Sequence, residues 1–331
     1  MPIVTTEHFK SGNLPLSKNG IPQVSEDDYC RLKGYMLETD DIVFSRVGSV
    51  DINAHVEHVQ QGWLFSGRVL RVRPIKSVNS LCLHYVLSTE SVKRDIRNRA
   101  VGQTMPSINT PILSNTGIYM SQSEAEQKKI ANLLSIIDER ISTQNKIIED
   151  LKKLKSAISK KLLCNDKWTT YKIQDIAEIG RGRVISSVEI DRQKHPLYPV
   201  YSSQTSNNGI MGYLDNYMFD GEYITWTTDG ANAGTVFYRK GKFNCTNVCG
   251  TLKILPKFDC YFVSLVLQQA TQKYVSSNLA NPKLMNNTMA SIKIRMPNIE
   301  TQKQLSKVFQ TLDSCLLVHQ RTCKMYQSEK Q

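Results

Sequence analysis

Residues 121–163 contain neither glycine nor proline, and apolar side chains recur through them in alternating steps of four and three. The seam runs Ile130, Leu134, Ile137, Ile141, Ile148, Leu151, Ile158 and Leu162, and only Gln144 and Lys155 interrupt it. A 3.5-residue rhythm predicts a helix that pairs with another helix rather than one that lies on a sheet. At 1.5 Å per residue it would run about 60 Å, too long for the interior of one small domain. The stretch reads as a spacer rod, and a rod needs a partner.

The chain itself supplies that partner. Leu305, Phe309, Leu312, Leu316, His319, Cys323 and Tyr326 repeat the seam positions Ile130, Leu134, Ile137, Ile141, Gln144, Ile148 and Leu151 at a constant offset of 175 residues. Gln127-Lys128 returns as Gln302-Lys303, and Ile137-Asp138 as Leu312-Asp313. Even the polar break is repeated, Gln144 against His319, which makes those two the expected register markers. A shared seam with shared punctuation points to internal duplication.

The duplication reaches into the segments between the rods. Tyr35-Met36 aligns with Tyr217-Met218, Ile42 with Ile224, Phe44 with Trp226, Gly48 with Gly230 and Pro74 with Pro256, all 182 apart. Pro106 and Met120 align with Pro282 and Met296 at an offset of 176. The expected order is therefore a globular unit at 1–104, a spacer helix at 105–165, a second globular unit at 166–285 and a distal spacer helix at 286–331. The expected fold is α+β, two similar mixed α/β domains separated by two long antiparallel coiled-coil helices. Trp168 opens the second unit, so the same alignment leaves the first unit short of roughly 15–30 leading residues.

Finer expectations follow from local pattern. Residues 64–74 alternate like one half-buried strand ended by Pro74, while 81–100 and 261–277 have helical spacing. Residues 102–120 are turn-rich and end in a short apolar stretch read as a strand. Ser123 followed by Glu126 suggests a capping box at the start of the rod. Residues 198–256 are dense in Tyr, Asn, Ser, Thr and Gly and read as strands and turns throughout.

The 331 residues carry a net charge of +12, spread along the chain rather than gathered in a tail. That favours a polyanionic partner, with nucleic acid ahead of an acidic membrane surface. Eight cysteines, at 30, 82, 164, 245, 249, 260, 315 and 323, form no C-x-x-C pair, and no histidine falls at zinc-finger spacing from them. With no signal peptide and no apolar run of membrane-spanning length, they read as reduced thiols of a cytoplasmic protein. His55 and His58 lie three apart on a strand-like stretch and read as surface or packing histidines rather than metal ligands.

Catalytic constellations are not evident. There is no G-x-x-x-x-G-K-S/T phosphate loop and no G-x-G-x-x-G after a strand. The Asn-Pro-Pro-aromatic run used by amino-methyltransferases is absent, since Asn281-Pro282 continues as Lys-Leu. Acid-x-Lys pairs such as Asp150 and Lys152 fall on the rod, where solvated charges are expected rather than a metal-holding nuclease site. No metal site and no catalytic residue is expected, and the chain reads as a non-catalytic recognition protein.

What remains is recognition chemistry. Tyr201, Ser202, Ser203, Gln204 and Asn207 offer hydroxyls and amides in one loop; Thr228 and Asn232 do so in the Gly-rich turn TTDGANAG. Such groups hydrogen-bond base edges and phosphates. Arg181 and Arg183 flank Gly182 and suit phosphate or guanine contacts. In the first unit, Ser45 and Arg46 of FSRVGS hold the place of that Gly-rich turn.

The two rod entries SEAEQKKI and IETQKQL, the run YPVYSSQT…NNGIMGY…FDGEYI…TDG…AGTVFY…FN and the FSRVGS turn together resemble the specificity subunit of a Type I restriction-modification enzyme. The resemblance covers nearly the whole chain. It implies two target recognition domains that each read half of a split site in double-stranded DNA, with rods setting the gap. It also implies two modification subunits that use S-adenosylmethionine and restriction subunits that use ATP and Mg, those cofactors belonging to the partners and none to this chain. The rod seam residues, Ile130 through Leu151 and Leu305 through His319, would carry subunit assembly. Two other readings stand beside it: a truncated or silent specificity cassette, and a coiled-coil scaffold for an acidic protein.

Overall fold

A computed structural model describes residues 1–163, 165–276 and 281–330. Cys164, residues 277–280 and Gln331 lie outside the described residues, so the expectation on that cysteine is not followed further; the helix expected over 261–277 ends at Ala270 and gives way to a 3-10 turn at Thr271–Tyr274. The chain divides into two compact units, one of residues 1–143 with 325–331 and one of residues 144–324.

In the first unit, Ile42–Ser45 forms the centre of a three-stranded antiparallel sheet, between Asn53–His55 and Val69–Val72. IVFS has no polar side until its last residue, and all four of its residues are buried. Ile42 and Phe44 join Leu83, Leu87, Val92, Ile96 and Ile108 on one face, where the helices Ser80–Leu87 and Glu90–Arg99 pack. Val43 joins Val4, Phe9, Leu14, Leu37, Val56 and Trp63 on the other.

The second unit repeats this plan with an extra strand. Val236–Lys240, Glu222–Thr227, Cys249–Ile254 and Ala177–Arg181 make an antiparallel sheet in that order. Ile224 and Trp226 face a core with Phe262, Leu265 and Phe309, built on the helix Cys260–Ala270. A second, three-stranded sheet, Asn244–Cys245, Tyr198–Tyr201 and Ile210–Leu214, has its own small cluster of Val200, Leu214 and Ile185.

Hydrogen bonds repeat along with the strands. Gly48 N–H donates to Pro106 at 2.8 Å and Gly230 N–H donates to Pro282 at 3.0 Å, the glycines at φ +85 and +94. Ile108 donates to Arg46 O, and Leu284 to Thr228 O. Thus the glycines and prolines that align by sequence are bonded to one another in the same way in each unit.

The long helices are Glu124–Leu162 and Ile299–Glu329. Within the second unit they run antiparallel, as His319–Gln144 (2.7 Å) and the Lys155–Asp313 ion pair require. Both sequence breaks in the seam are therefore polar pairs between helices. A residue bonded to its own repeat equivalent fixes a register that any slip would break. Phe309 and Leu316 are buried and Leu305, Leu312, Ile148, Leu151 and Ile158 half-buried, as a seam demands.

Each helix is also fastened to its own unit by matching bonds. Gln127 Oε1 accepts from Asn79 N–H at 2.7 Å, and Gln302 Oε1 accepts from Asp259 N–H at 3.0 Å. Each glutamine then donates to a carbonyl just ahead of its helix, Ser121 O and Pro297 O. Tyr85 donates to Asp138 at 2.9 Å and Tyr261 to Asp313 at 2.5 Å, and each aspartate also takes a lysine, Lys330 or Lys155.

Four local expectations are corrected. Ile130 is 44% exposed, because the first turn turns Gln127 and Ala131 inward instead. The capping box is only half made: Ser123 Oγ accepts from Glu126 N–H at 3.4 Å, but the Glu126 carboxylate takes Ser121 Oγ. Residues 64–74 form two strands, because Ser66-Gly67 turns the chain so that Leu64–Phe65 pairs with Ile3–Val4 and Val69–Val72 with the main sheet. Residues 116–120, just ahead of the first rod, form no strand. Thr110–Ser114 is a helix capped by Asn109, and 116–120 lacks the partner that Thr169–Lys172 gives Lys293–Met296 in the second unit.

Candidate nucleic-acid interface

In the second unit the two polar loops meet. Tyr201 ends one strand, Ile210 begins the next, and Ser202 N–H donates to Gly209 O at 2.9 Å to close the loop between them. Within it, Asn207 and Asn208 sit at φ +47 and +54, a left-handed conformation that asparagine tolerates better than other side-chain-bearing residues. Residues 205–208 are all exposed. Gln204 Nε2 donates back to Ile210 O, and Asn232 Nδ2 from the Gly-rich turn donates to Ser203 O at 3.3 Å. The loop thus has a fixed frame and an open tip.

Arg181 lies beside it on the sheet edge. Its guanidinium reaches Asn247 O at 2.5 Å, Thr228 Oγ1 at 3.0 Å and Asp229 Oδ2 at 3.3 Å, with Lys283 a further 3.8 Å from Asp229. Arg183 is held by the Glu189 carboxylate, and that pairing raises the guanidinium's pKa and lowers the carboxyl's. Both arginines remain more than a third exposed. Each is therefore oriented by a neighbour yet open to a phosphate.

Thr228 and Ser45 do not face solvent. Thr228 is 0% exposed and its hydroxyl is shared between Asp229 and Arg181. Ser45 is 3% exposed and donates to Val47 O. Burial excludes both from direct base contact in this structure and makes them supports for the turns they begin. Arg46 is exposed, with Nη1 donating to Gly67 O at 3.2 Å, and occupies in the first unit the position that Thr228 holds in the second.

Sequence reasoning missed the layer beneath this loop. Arg239 is 3% exposed, with its guanidinium 3.5 Å from the Tyr201 ring centroid and 4.4 Å from that of Phe237. Thr225, Thr227, Thr246, Thr251 and Asn244 are buried in the same unit. Arg239 Nε donates to Thr225 at 3.2 Å, while Arg239 Nη1, Asn244 Oδ1 and Thr246 Oγ1 have no hydrogen-bond partner among the described residues. Burial lowers the arginine's pKa to about 10, still charged at neutral pH, and pushes the neighbouring Cys249 thiol up to about 11. The available signal was period two: in VFYRK, Tyr238 packs on the core and Arg239 falls on the opposite face.

Among the described residues, no group of three His, Cys, Asp or Glu side chains could hold a metal, and no helix is long and apolar enough to cross a membrane. Seven described cysteines are free thiols. His55 is bonded to Asp40 at 3.2 Å, and His58 begins a short 3-10 turn.

Two copies of one sheet-and-helix unit, each carrying a polar turn beside an arginine and each fastened to a long helix, define a duplicated recognition protein. The sequence matches the family model for the Type I restriction modification DNA specificity domain over residues 1–153 and again over 165–324, and the chain belongs to that family. It is a DNA sequence-specificity subunit of the type I restriction-modification kind. A Mycoplasma pneumoniae protein described as the N-terminus of a type I specificity subunit is 46% identical over 147 residues, 43% of this chain and 76% of that protein. Another type I specificity subunit of that organism is 38% identical over 185 residues, 55% of this chain and 77% of the relative. The fold is shared with the crystal structure of the type I restriction-modification S subunit from M. genitalium: TM-score 0.72, 18% identity, covering 89% of this chain and 82% of that one.

Proposed function

We propose that each unit reads one half of a bipartite site in double-stranded DNA, with the long helices as spacer. The observation that carries this reading is a common scaffold with different readers. The Gly48–Pro106 and Gly230–Pro282 bonds are equivalent, yet Arg46 stands exposed where Thr228 is buried beneath Arg181. Same frame and different side chains is what two unlike half-sites require. The contacts would come from Arg46 in the first unit, and from Arg181, Arg183, Ser203 and Asn207 in the second.

The same reading makes the chain non-catalytic and cytoplasmic. It assembles with two modification subunits, which use S-adenosylmethionine, and with restriction subunits, which use ATP and Mg. Leu133 and Val308 support the twofold partner number: they lie 175 apart, at matching places on the two long helices, and are 61% and 45% exposed. One modification subunit on each would cover them.

Selection from random duplexes by the chain with its modification partners tests the reading. Arg46→Ala is expected to relax preference in one half-site and Arg181→Ala in the other, each by about tenfold, the usual effect of one lost base contact. A complex without sequence preference, or one in which both substitutions affect the same half-site, overturns it.

A further inference from the structure

We propose that Arg239 is the positioning residue of the second unit's recognition loop, holding both ends of the 201–210 segment from beneath. The proposal rests on reading that unit as a DNA reader and names the residue that sets its specificity from within.

Arg239 touches the loop at its two ends. The guanidinium lies against the Tyr201 ring, where the loop begins. Its Nη2 is so close to Gly209, where the loop closes, that a Cβ there would meet it at 3.1 Å. The Phe237 ring lies at 4.4 Å, and Thr225 Oγ1 accepts from Nε at 3.2 Å. A planar cation in contact with two rings and tethered at one nitrogen cannot tilt without losing a contact.

The arrangement is costly to the fold. Arg239 makes no ion pair with any described residue, and the groups that favour its cation, Tyr201 and the thiols of Cys249 and Cys245, are themselves neutral at neutral pH. Its Nη1 is buried without a hydrogen-bond acceptor among the described residues. A charge buried this way destabilises a protein relative to an apolar side chain of the same size. Nor does the scaffold require it. In the first unit the matching strand position is Val56, whose N–H donates to Asp41 O as the antiparallel pairing requires, and which is 0% exposed in an apolar cluster. Stability does not account for the arginine, but its contacts with Tyr201 and Gly209 do.

The test is Arg239→Met, which keeps length and removes the charge and planar stack. The expected variant unfolds at a temperature no lower than the parent, yet exchanges its amides at 202–209 about tenfold faster or more in the chain alone. In selections with modification partners, discrimination at the second half-site falls by about tenfold or more, the effect of one mismatched base pair, and the first half-site is unchanged. Wild-type amide exchange and wild-type discrimination in the variant overturn the proposal. So does parallel loss of thermal stability and of both half-sites, which would mark a merely structural residue. Should the methionine variant not fold, Arg239→Lys carries the same test: it keeps the charge, removes the planar guanidinium against Tyr201, and is expected to give the same loss confined to the second half-site. A wild-type complex without sequence preference would defeat the DNA reading instead. In that event the amide-exchange arm still decides whether Arg239 holds the loop.

Discussion

The two units share a central strand but differ in what covers its second face. In the first, Val43 and Val56 meet Val4, Phe9, Leu14, Trp63 and Phe65, a conventional apolar layer. In the second, the matching positions are Thr225 and Arg239, and the buried side chains around them include Thr227, Thr251, Asn244 and Thr246. One face of a sheet can therefore be exchanged from oil to polar network while the opposite face, Ile42 and Phe44 or Ile224 and Trp226, stays apolar. The first face carries the fold. The second is free to vary, and in the second unit the recognition loop rests on it.

The harshest way to break this comparison is to exchange the layers at one residue. Val56→Arg puts a guanidinium into the first unit's apolar cluster, where Val43 and Ala54 stand at the places of Thr225 and Phe237. It is expected to destabilise that unit by about 4 kcal/mol or more, enough to unfold it, while the second unit keeps its denaturation midpoint. Segment-resolved proteolysis during urea unfolding measures this, and a variant that folds normally would show that both layers accept charge.

Acid should also separate the units. His84 is buried in the first unit, bonded through Nδ1 to Asn53 Oδ1 at 2.6 Å, and burial, with His55 and Lys330 nearby, lowers its pKa to about 4. The matching helix of the second unit, Cys260–Ala270, carries no histidine. Above pH 6.5 the imidazole is neutral folded or unfolded, so stability is full. As pH falls from 6.5 toward 4 the unfolded chain takes up the proton and the folded one resists, so stability is lost, by at most about 3 kcal/mol. His55, lowered mainly by burial, acts in the same direction. The first unit should lose stability between pH 7 and 5 before the second does, and His84→Gln should flatten that slope. An unchanged slope would place the acid sensitivity elsewhere.

The reach of the sequence follows the same division. Helices, seams and the duplication were legible because they depend on spacing within the chain: Gln144 met His319, and Gly48 and Gly230 found their prolines. The polar loops were legible as polar. What could not be read was depth. Ser45 and Thr228 looked like contact residues but are buried, and Arg239, which drew no expectation from its sequence, lies against the Tyr201 ring. Depth depends on which second sheet covers the first, a long-range packing choice that no local period encodes. Ile130 failed for a related reason: the first turn of the rod is docked by Gln127 to a helix cap, which overrides the seam.

Where the units agree, substitutions should agree too. Asp138→Ala and Asp313→Ala each strand a tyrosine hydroxyl and a lysine, Tyr85 with Lys330 and Tyr261 with Lys155. These carboxylates are partly exposed, so screening trims the ion pair and the charged hydrogen bond dominates. Each is expected to cost its own unit about 1–2 kcal/mol, nearly equal in calorimetry. A large inequality would mean that the clamps fasten the helix differently in the two units.

The smallest expected effect is the most direct check of the shared frame. Gly48 and Gly230 hold φ +85 and +94, and a methyl added at Gly48 would meet nothing within 4 Å, at Gly230 only Asn281 Oδ1 at 3.9 Å. Space is therefore not the constraint at either glycine; the left-handed backbone is. Alanine at either position should cost about 1 kcal/mol, the ordinary penalty for a side chain in that conformation. Because the Gly48–Pro106 and Gly230–Pro282 bonds are equivalent, the two costs should match within a few tenths. A Gly48→Ala cost well above that of Gly230→Ala would show that the first unit's turn is held more rigidly than its twin. The layers beneath the turns, apolar in one unit and polar in the other, would then tune the scaffold as well as the reading.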